Sequence, residues 1–269
     1  MRHLLATFLV VLTALPLWAG ARHTVLMDVL QIRELSRILH REGVTYGNTL
    51  SRDWLDGQGG AAWTQQVARI YDPERLAEGI RAGLEPALDG DMLEEAITFF
   101  ASDLGTKIIE LENSARLAMA DSEIEAQARA KYAQSLDTDD PRLVQIDRMI
   151  ETGDLVNRNV ASALNSNFQF LRALVDGEVY TLSEAEILED VMASQEEITM
   201  DTESWLGAFL SLAYSPLTLE ELTIYADFAV TPTGQALNAG LFAGFDPMYE
   251  DISYALGRTI ALNMTAQEL

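Results

Sequence analysis

Residues 91–112, DMLEEAITFFASDLGTKIIELE, decide the fold class of this chain. Leu93, Ala96, Ile97 and Phe100 recur at helical spacing, which puts them on one face of a short helix. Ser102 then offers a side chain able to accept a hydrogen bond from the first free N–H groups of a second helix. Gly105, three residues on, has no Cβ and lets the preceding backbone come close. Beyond it Leu104, Ile108, Leu111, Ala115 and Ala118 form a second apolar stripe, predicting a helix from Asp103 into the 130s. The unit reads as helix, tight corner, helix.

The same unit recurs in residues 218–238, TLEELTIYADFAVTPTGQALN, at a constant displacement of 129 positions. Asp72 maps to Asp201, Leu88 to Leu217, Asp91 to Glu220 and Leu93 to Leu222. Phe99 then maps to Phe228, Ser102 to Thr231 and Gly105 to Gly234. Asp89 and Thr218 are placed to cap the short helix of each copy, and Leu222, Tyr225, Ala226 and Ala229 repeat its apolar face. Other helix starts agree: Ser183 with Glu186, and Thr218 with Glu221, have capping-box spacing, and Thr231 precedes a first-turn Pro232. Val160, Leu164, Phe168, Leu171 and Leu174 give a further stripe ahead of Gly177, which reads as a left-handed cap. No alternating strand pattern competes. The expected fold is all-α, two homologous helical repeats side by side with about ten to twelve helices, a long one after each corner. The expected repeats are residues 22–134 and 142–269, joined by a polar linker at 135–141 that carries Asp137, Asp139 and Asp140.

At the N-terminus, Arg2 and His3 precede an apolar run over residues 4–18, and the small residues Ala19, Gly20 and Ala21 come next. That is the layout of a cleaved secretory signal over residues 1–21, since a run of about 15 residues falls short of the ~20 needed to span a membrane. The mature chain is expected to begin near Arg22 and to reside in a bacterial periplasm. With 42 acidic against 18 basic residues the formal charge is −24, a field that excludes nucleic acid and disfavours anionic lipid surfaces. Hydrophobic residues still make up 48%, enough for a real core. With no cysteine anywhere, disulfides and thiol chemistry are excluded.

The two corner segments resemble the L-x-x-x-x-x-F-x-x-[ST]-x-x-G-x-x core of the DUF2059 domain, a family of exported bacterial proteins of uncharacterised function. The resemblance implies two tandem copies of an all-α periplasmic domain without an established activity or cofactor. The second copy departs from the first where Leu241 replaces Glu112 and Asn238 replaces Ile109, so a role built on Glu112 does not carry over to it.

Catalytic templates are missing. Ser102 has no His or Lys nearby to act as base, and its counterpart is a Thr. No HExxH, GxSxG or GxxxxGK[ST] occurs, and Ala62 stands where a dinucleotide turn built on Gly57, Gly59 and Gly60 needs its third glycine. His40 is the one histidine expected inside the fold, as a helix-end residue near Gly43. A calcium hand at Asp137, Asp139 and Asp140 is broken by Pro141 and lacks its final Glu, Arg148 standing there. Glu94 with Glu95, and Glu110 with Glu112, do not face each other on a helix and read as solvated. Trp54, Trp63 and Trp205 read as core, the alternative being a sugar or lipid cleft.

The expectation is therefore a non-enzymatic exported protein, without catalytic, cofactor or metal residues. It would contact another exported protein or the cell wall through a groove between its halves. The alternative is a carrier for a hydrophobic small molecule or lipid between helices, which nine methionines would suit. The residues singled out, Leu93, Phe99, Ser102, Gly105, Leu222, Phe228, Thr231 and Gly234, are a folding device.

Overall fold

A computed structural model describes residues 15–267, and every regular element among them is a helix. The first half contains α1 (Leu15–Val29), α2 (Ile32–Leu55), α3 (Gly60–Ile70), α4 (Pro73–Ala87), α5 (Gly90–Phe100), α6 (Asp103–Met119) and α7 (Ser122–Ser135). The second contains α8 (Pro141–Thr152), α9 (Leu155–Asp176), α10 (Glu184–Ala193), α11 (Gln195–Tyr214), α12 (Leu219–Ala229) and α13 (Pro232–Gln267). The all-α expectation holds.

Both corners use the same bonds. Ser102 Oγ donates to the Phe99 carbonyl at 2.6 Å and accepts from Gly105 N at 3.1 Å. Thr231 Oγ1 donates to the Phe228 carbonyl at 2.7 Å and accepts from Gly234 N at 3.0 Å. A Cβ on Gly105 would lie 2.2 Å from the Phe99 oxygen, and one on Gly234 2.3 Å from the Phe228 oxygen. The glycines are thus required by close backbone approach. The two corners also meet: the Phe99 and Phe228 rings stack with centroids 3.9 Å apart at 11°.

The helix leaving each corner decides the architecture. α6 departs from the first half and buries Ile108 and Ala115 among α8, α11 and α12, with Leu143, Ile146, Leu210, Ala213, Leu217 and Leu222. α13 does the reverse, burying Leu237 with Leu84, Leu93, Ala96 and Phe100 of α4 and α5. Farther along, its Ile252, Leu256 and Ile260 join Leu39, Leu50, Trp63, Val67 and Leu76. Each half lends its long helix to the other. Residues on both sides of 135–141 therefore share every one of these cores, and that segment is a turn between α7 and α8 on their surface.

α4 and α13 cross at close range. A Cβ on Gly83 would lie 2.2 Å from Gly244 N and 2.3 Å from the Gly240 carbonyl oxygen. Only glycine on both helices permits that approach, and it lets Ile80 and Leu84 reach complete burial against α13.

Several local expectations are corrected. The helix after Ser102 stops at Met119, because Asp121 caps a new helix by accepting from Glu123 N and Ile124 N. Gly177 is not left-handed, with φ −94°; Glu178 takes that conformation at φ 63°. Gly177 is small for a different reason, since a Cβ there would lie 2.2 Å from the Ala261 Cβ. Asp89 makes no side-chain cap bond, whereas the capping boxes at Ser183 and Thr218 are both formed. His40 sits inside α2, its Nδ1 donating to the Tyr71 carbonyl at 2.7 Å. His23 is a second interior histidine: it is buried on α1 and its Nε2 donates to the Leu88 carbonyl at 2.8 Å.

Of the expected signal, residues 1–14 lie outside the described residues. α1 runs through Ala19, Gly20 and Ala21, and its first described ion pair joins Arg22 to Glu94. No described helix is long and apolar enough to cross a membrane.

Candidate binding cleft between the halves

Three helices of the second half, α9, α11 and α13, enclose an open cleft that Arg116 of the first half closes at one end. Along α9, Leu155, Asn159, Ser162, Ala163 and Ser166 recur at helical spacing and present short neutral polar groups to a cleft. Along α13, Asn238, Leu241, Phe242, Phe245, Asp246 and Tyr249 form the opposite wall. Trp205 of α11 and Arg116 of α6 complete it, around a volume of about 500 Å³. A second cleft of about 470 Å³, lined by Arg41, Glu42, Thr45 and Tyr46 of α2, shares the same Trp205 and Arg116. The two are neighbours across one arginine and one tryptophan.

Geometry holds these two side chains in place. Arg116 is bidentate on Glu42, with Nε 2.9 Å from Oε1 and Nη2 2.8 Å from Oε2. Burial pushes the nearby Tyr249 phenol up, Glu42 adding to the rise and Arg116 opposing it. Trp205 stacks on Phe209 with centroids 5.0 Å apart at 9°. Arg158 lies over the Phe242 ring, 5.4 Å from its centroid.

The lining sets polar groups among a larger apolar surface, and those groups separate ligand classes. Asn159 and Asn238 each spend one N–H on a backbone carbonyl, at 2.8 Å from Leu155 O and 2.8 Å from Gly153 O, which leaves their carbonyl oxygens as acceptors. Asp246 Oδ1 has no hydrogen-bond partner. An alkyl chain filling this cleft would strip water from Asn159, Ser162, Ser166 and Asn238 at about 1–3 kcal/mol for each group left unpaired. At about 25 cal/mol per Å², burying some 200 Å² of hydrocarbon returns only ~5 kcal/mol. A purely apolar ligand is a poor match.

A different polar cluster lies deeper. Glu112 Oε1 accepts from the Tyr214 hydroxyl at 2.7 Å and from the Tyr225 hydroxyl at 3.1 Å. Burial raises the Glu112 carboxyl above its usual range against those two bonds, and burial beside that carboxylate drives both phenols well above theirs. Glu112 thus bridges α6 to α11 and α12 and is enclosed, not solvated as its spacing suggests. Its sequence partner Glu110 stays exposed.

The other residues singled out from the sequence have structural places. Leu93, Leu222 and Phe228 are buried, and Phe99 is half-buried on Phe228. Ser102, Gly105, Thr231 and Gly234 carry out the corner geometry. Trp63 is core, its Nε1 donating to the Gly47 carbonyl at 2.9 Å. Trp54 is half-buried against Phe170 and Tyr180. Trp205 corrects the core reading, because it forms the wall shared by both clefts. Asp140 caps α8 by accepting from Arg142 N at 2.9 Å. Glu94 pairs with Arg22 and Glu95 accepts from the Thr233 hydroxyl. Among the described residues no three His, Asp or Glu side chains cluster as a metal site would need.

Sequence reasoning missed Arg116, Asp246 and the Asn159–Ser162–Ser166 stripe. The stripe had a signal, polar residues at spacings of three and four within a helix whose other face is apolar. Arg116 and Asp246 had none, because their importance comes from helices distant in sequence. No family model, curated protein or solved structure matches this chain.

Proposed function

We propose that this is a non-enzymatic binding protein of the bacterial cell envelope, exported by the signal-like residues 1–21, which engages its partner in the seam between its halves. One observation carries the reading: two clefts of ligand size, one in each half, converge where Arg116 of the first half and Trp205 of the second line both. The walls hold hydrogen-bonding groups and aromatic faces but no nucleophile paired with a base, which suits binding over turnover. The resemblance of residues 91–112 and 218–238 to the DUF2059 domain is consistent with an exported protein. The acidic surface favours neutral or cationic partners over polyanions.

Export and binding are tested separately. Cell fractionation with mass measurement of the N-terminus should find the chain in the periplasm starting near Arg22; an intact N-terminus in the cytoplasm rejects export. Native mass spectrometry of the protein from its own periplasm, with crosslinking in intact cells, tests binding. A co-purifying mass or a reproducible partner adduct is expected. Bare protein together with only self-adducts rejects the binding role.

A further inference from the structure

From the chemistry of the cleft walls we infer that the ligand held against Trp205 is a carbohydrate: a neutral, hydroxyl-rich ring compound with one apolar face. This rests on the proposed binding role and names its occupant.

Three observations converge on that class. First, the cleft has a split lining. α13 and α11 supply the aromatic side chains of Phe242, Phe245, Tyr249 and Trp205, while α9 supplies Asn159, Ser162 and Ser166. A sugar ring has that division, C–H groups on one face and hydroxyls around its edge. Second, the polar groups are of the kinds that hydroxyls pair with. Amide oxygens and serine hydroxyls both bond O–H groups, and Asn159, Asn238, Ser162 and Ser166 place them along the cleft. Third, the fixed charges argue against ionic ligands. Asp246 faces an anion with repulsion. Arg116 is already neutralised by Glu42 and offers an anion little. A cation would find Arg116 in the same wall and Arg158 already over Phe242. A hydrocarbon chain fails on the polar groups it would leave unpaired.

The second cleft extends the same surface past Trp205, where Thr45, Thr49, Glu42 and Tyr46 continue the mixture of hydroxyl, carboxylate and ring. An oligosaccharide lying across Trp205 would use both.

Saturation-transfer NMR on the full mature protein tests this, with cellotriose, maltotriose and the N-acetylglucosamine trimer as probes at millimolar concentration, and oleate and tetramethylammonium as controls. At least one trisaccharide should receive saturation, strongest at its ring C–H protons. Trp205→Ala and Asn159→Ala should each weaken it about tenfold or more, and Trp54→Ala should leave it unchanged. Ser166→Ala, a replacement that favours the helix, serves if Trp205→Ala fails to fold, and should weaken binding several-fold. The inference is overturned if none of the three sugars receives saturation, or if oleate or tetramethylammonium binds in their place with the same dependence on Trp205. Native mass spectrometry separates the two failures. A co-purifying ligand that is not a saccharide rejects the carbohydrate and keeps the binding role; a blank in both experiments, with no partner adduct in cells, rejects both.

Discussion

Replacing Gly83 by Ala tests the central crossing of the fold. The new Cβ would lie 2.2 Å from Gly244 N, 2.3 Å from the Gly240 oxygen and 2.6 Å from Gly244 Cα, all backbone atoms of α13. Ordinary carbon contacts are about 3.5–4.0 Å, so α4 and α13 must part locally by more than ~1 Å. Backbone cannot rotate out of the way as a side chain can. The separation would loosen Ile80, Leu84 and Leu237, which meet at this crossing. Against this, Ala is favoured over Gly inside a helix by about 1 kcal/mol. Overpacking of a close contact costs roughly 1–3 kcal/mol, and against backbone that cannot yield the upper end applies, so after the propensity gain the net loss is expected at ~2 kcal/mol. For a chain of this size that is a fall in Tm of about 4–8 °C. Gly79→Ala, one turn earlier, is the control. Its Cβ would meet only the flexible Met248 side chain, at 3.3 Å from Sδ, so the propensity gain should survive and stability should stay level or rise. Thermal and urea unfolding monitored by far-ultraviolet circular dichroism measures both. If Gly83→Ala proves as stable as the parent, or Gly79→Ala the more damaging of the two, the close crossing of α4 on α13 is wrong.

Glu112 sets a pH dependence. Its folded carboxyl titrates above the ordinary value of 4.5, so the folded state keeps a proton that the unfolded chain releases, and stability should fall as pH rises from about that value. Glu112→Gln keeps an acceptor for the two tyrosines without the charge and should flatten that fall; an unchanged slope in urea midpoints across the range rejects it. Ser102→Ala and Thr231→Ala each remove one cap and should cost about 0.5–2 kcal/mol in equilibrium unfolding, with similar values expected because the two corners make the same bonds. Finally, a proteolytic nick in residues 135–141 should leave the pieces associated on gel filtration and unfolding together, since α6 and α13 are each packed in the opposite half. Separable, independently folded halves would contradict the exchanged packing.

How much of the molecule is legible in its sequence depends on the range of the interaction. Capping boxes at Ser183 and Thr218, the corner bonds of Ser102 and Thr231 and the glycines after them are local, spanning three to six residues, and can be read from spacing alone. Spacing misleads where one residue type serves two purposes. Gly177 has the look of a cap but exists to admit Ala261, and Asp121 ends a stripe that hydrophobic spacing alone would continue. Glu112 illustrates the same limit. A carboxylate close in sequence to another acid looks solvated until Tyr214 and Tyr225, more than a hundred positions away, are brought to it.

The amino-acid sequence by itself determined that the chain is helical, where the corners fall and that they come in a matched pair, because these depend on side-chain periodicity and on hydrogen bonds closed within one turn. Only the tertiary structure decided that the halves exchange their long helices. That choice rests on which apolar stripes find complementary partners, and above all on Gly83, Gly240 and Gly244, whose missing side chains matter only once two helices cross. The cleft at Trp205 and Arg116 is a consequence of the exchange: no single segment of the chain contains it, and it exists where α6, α9, α11 and α13 are held side by side.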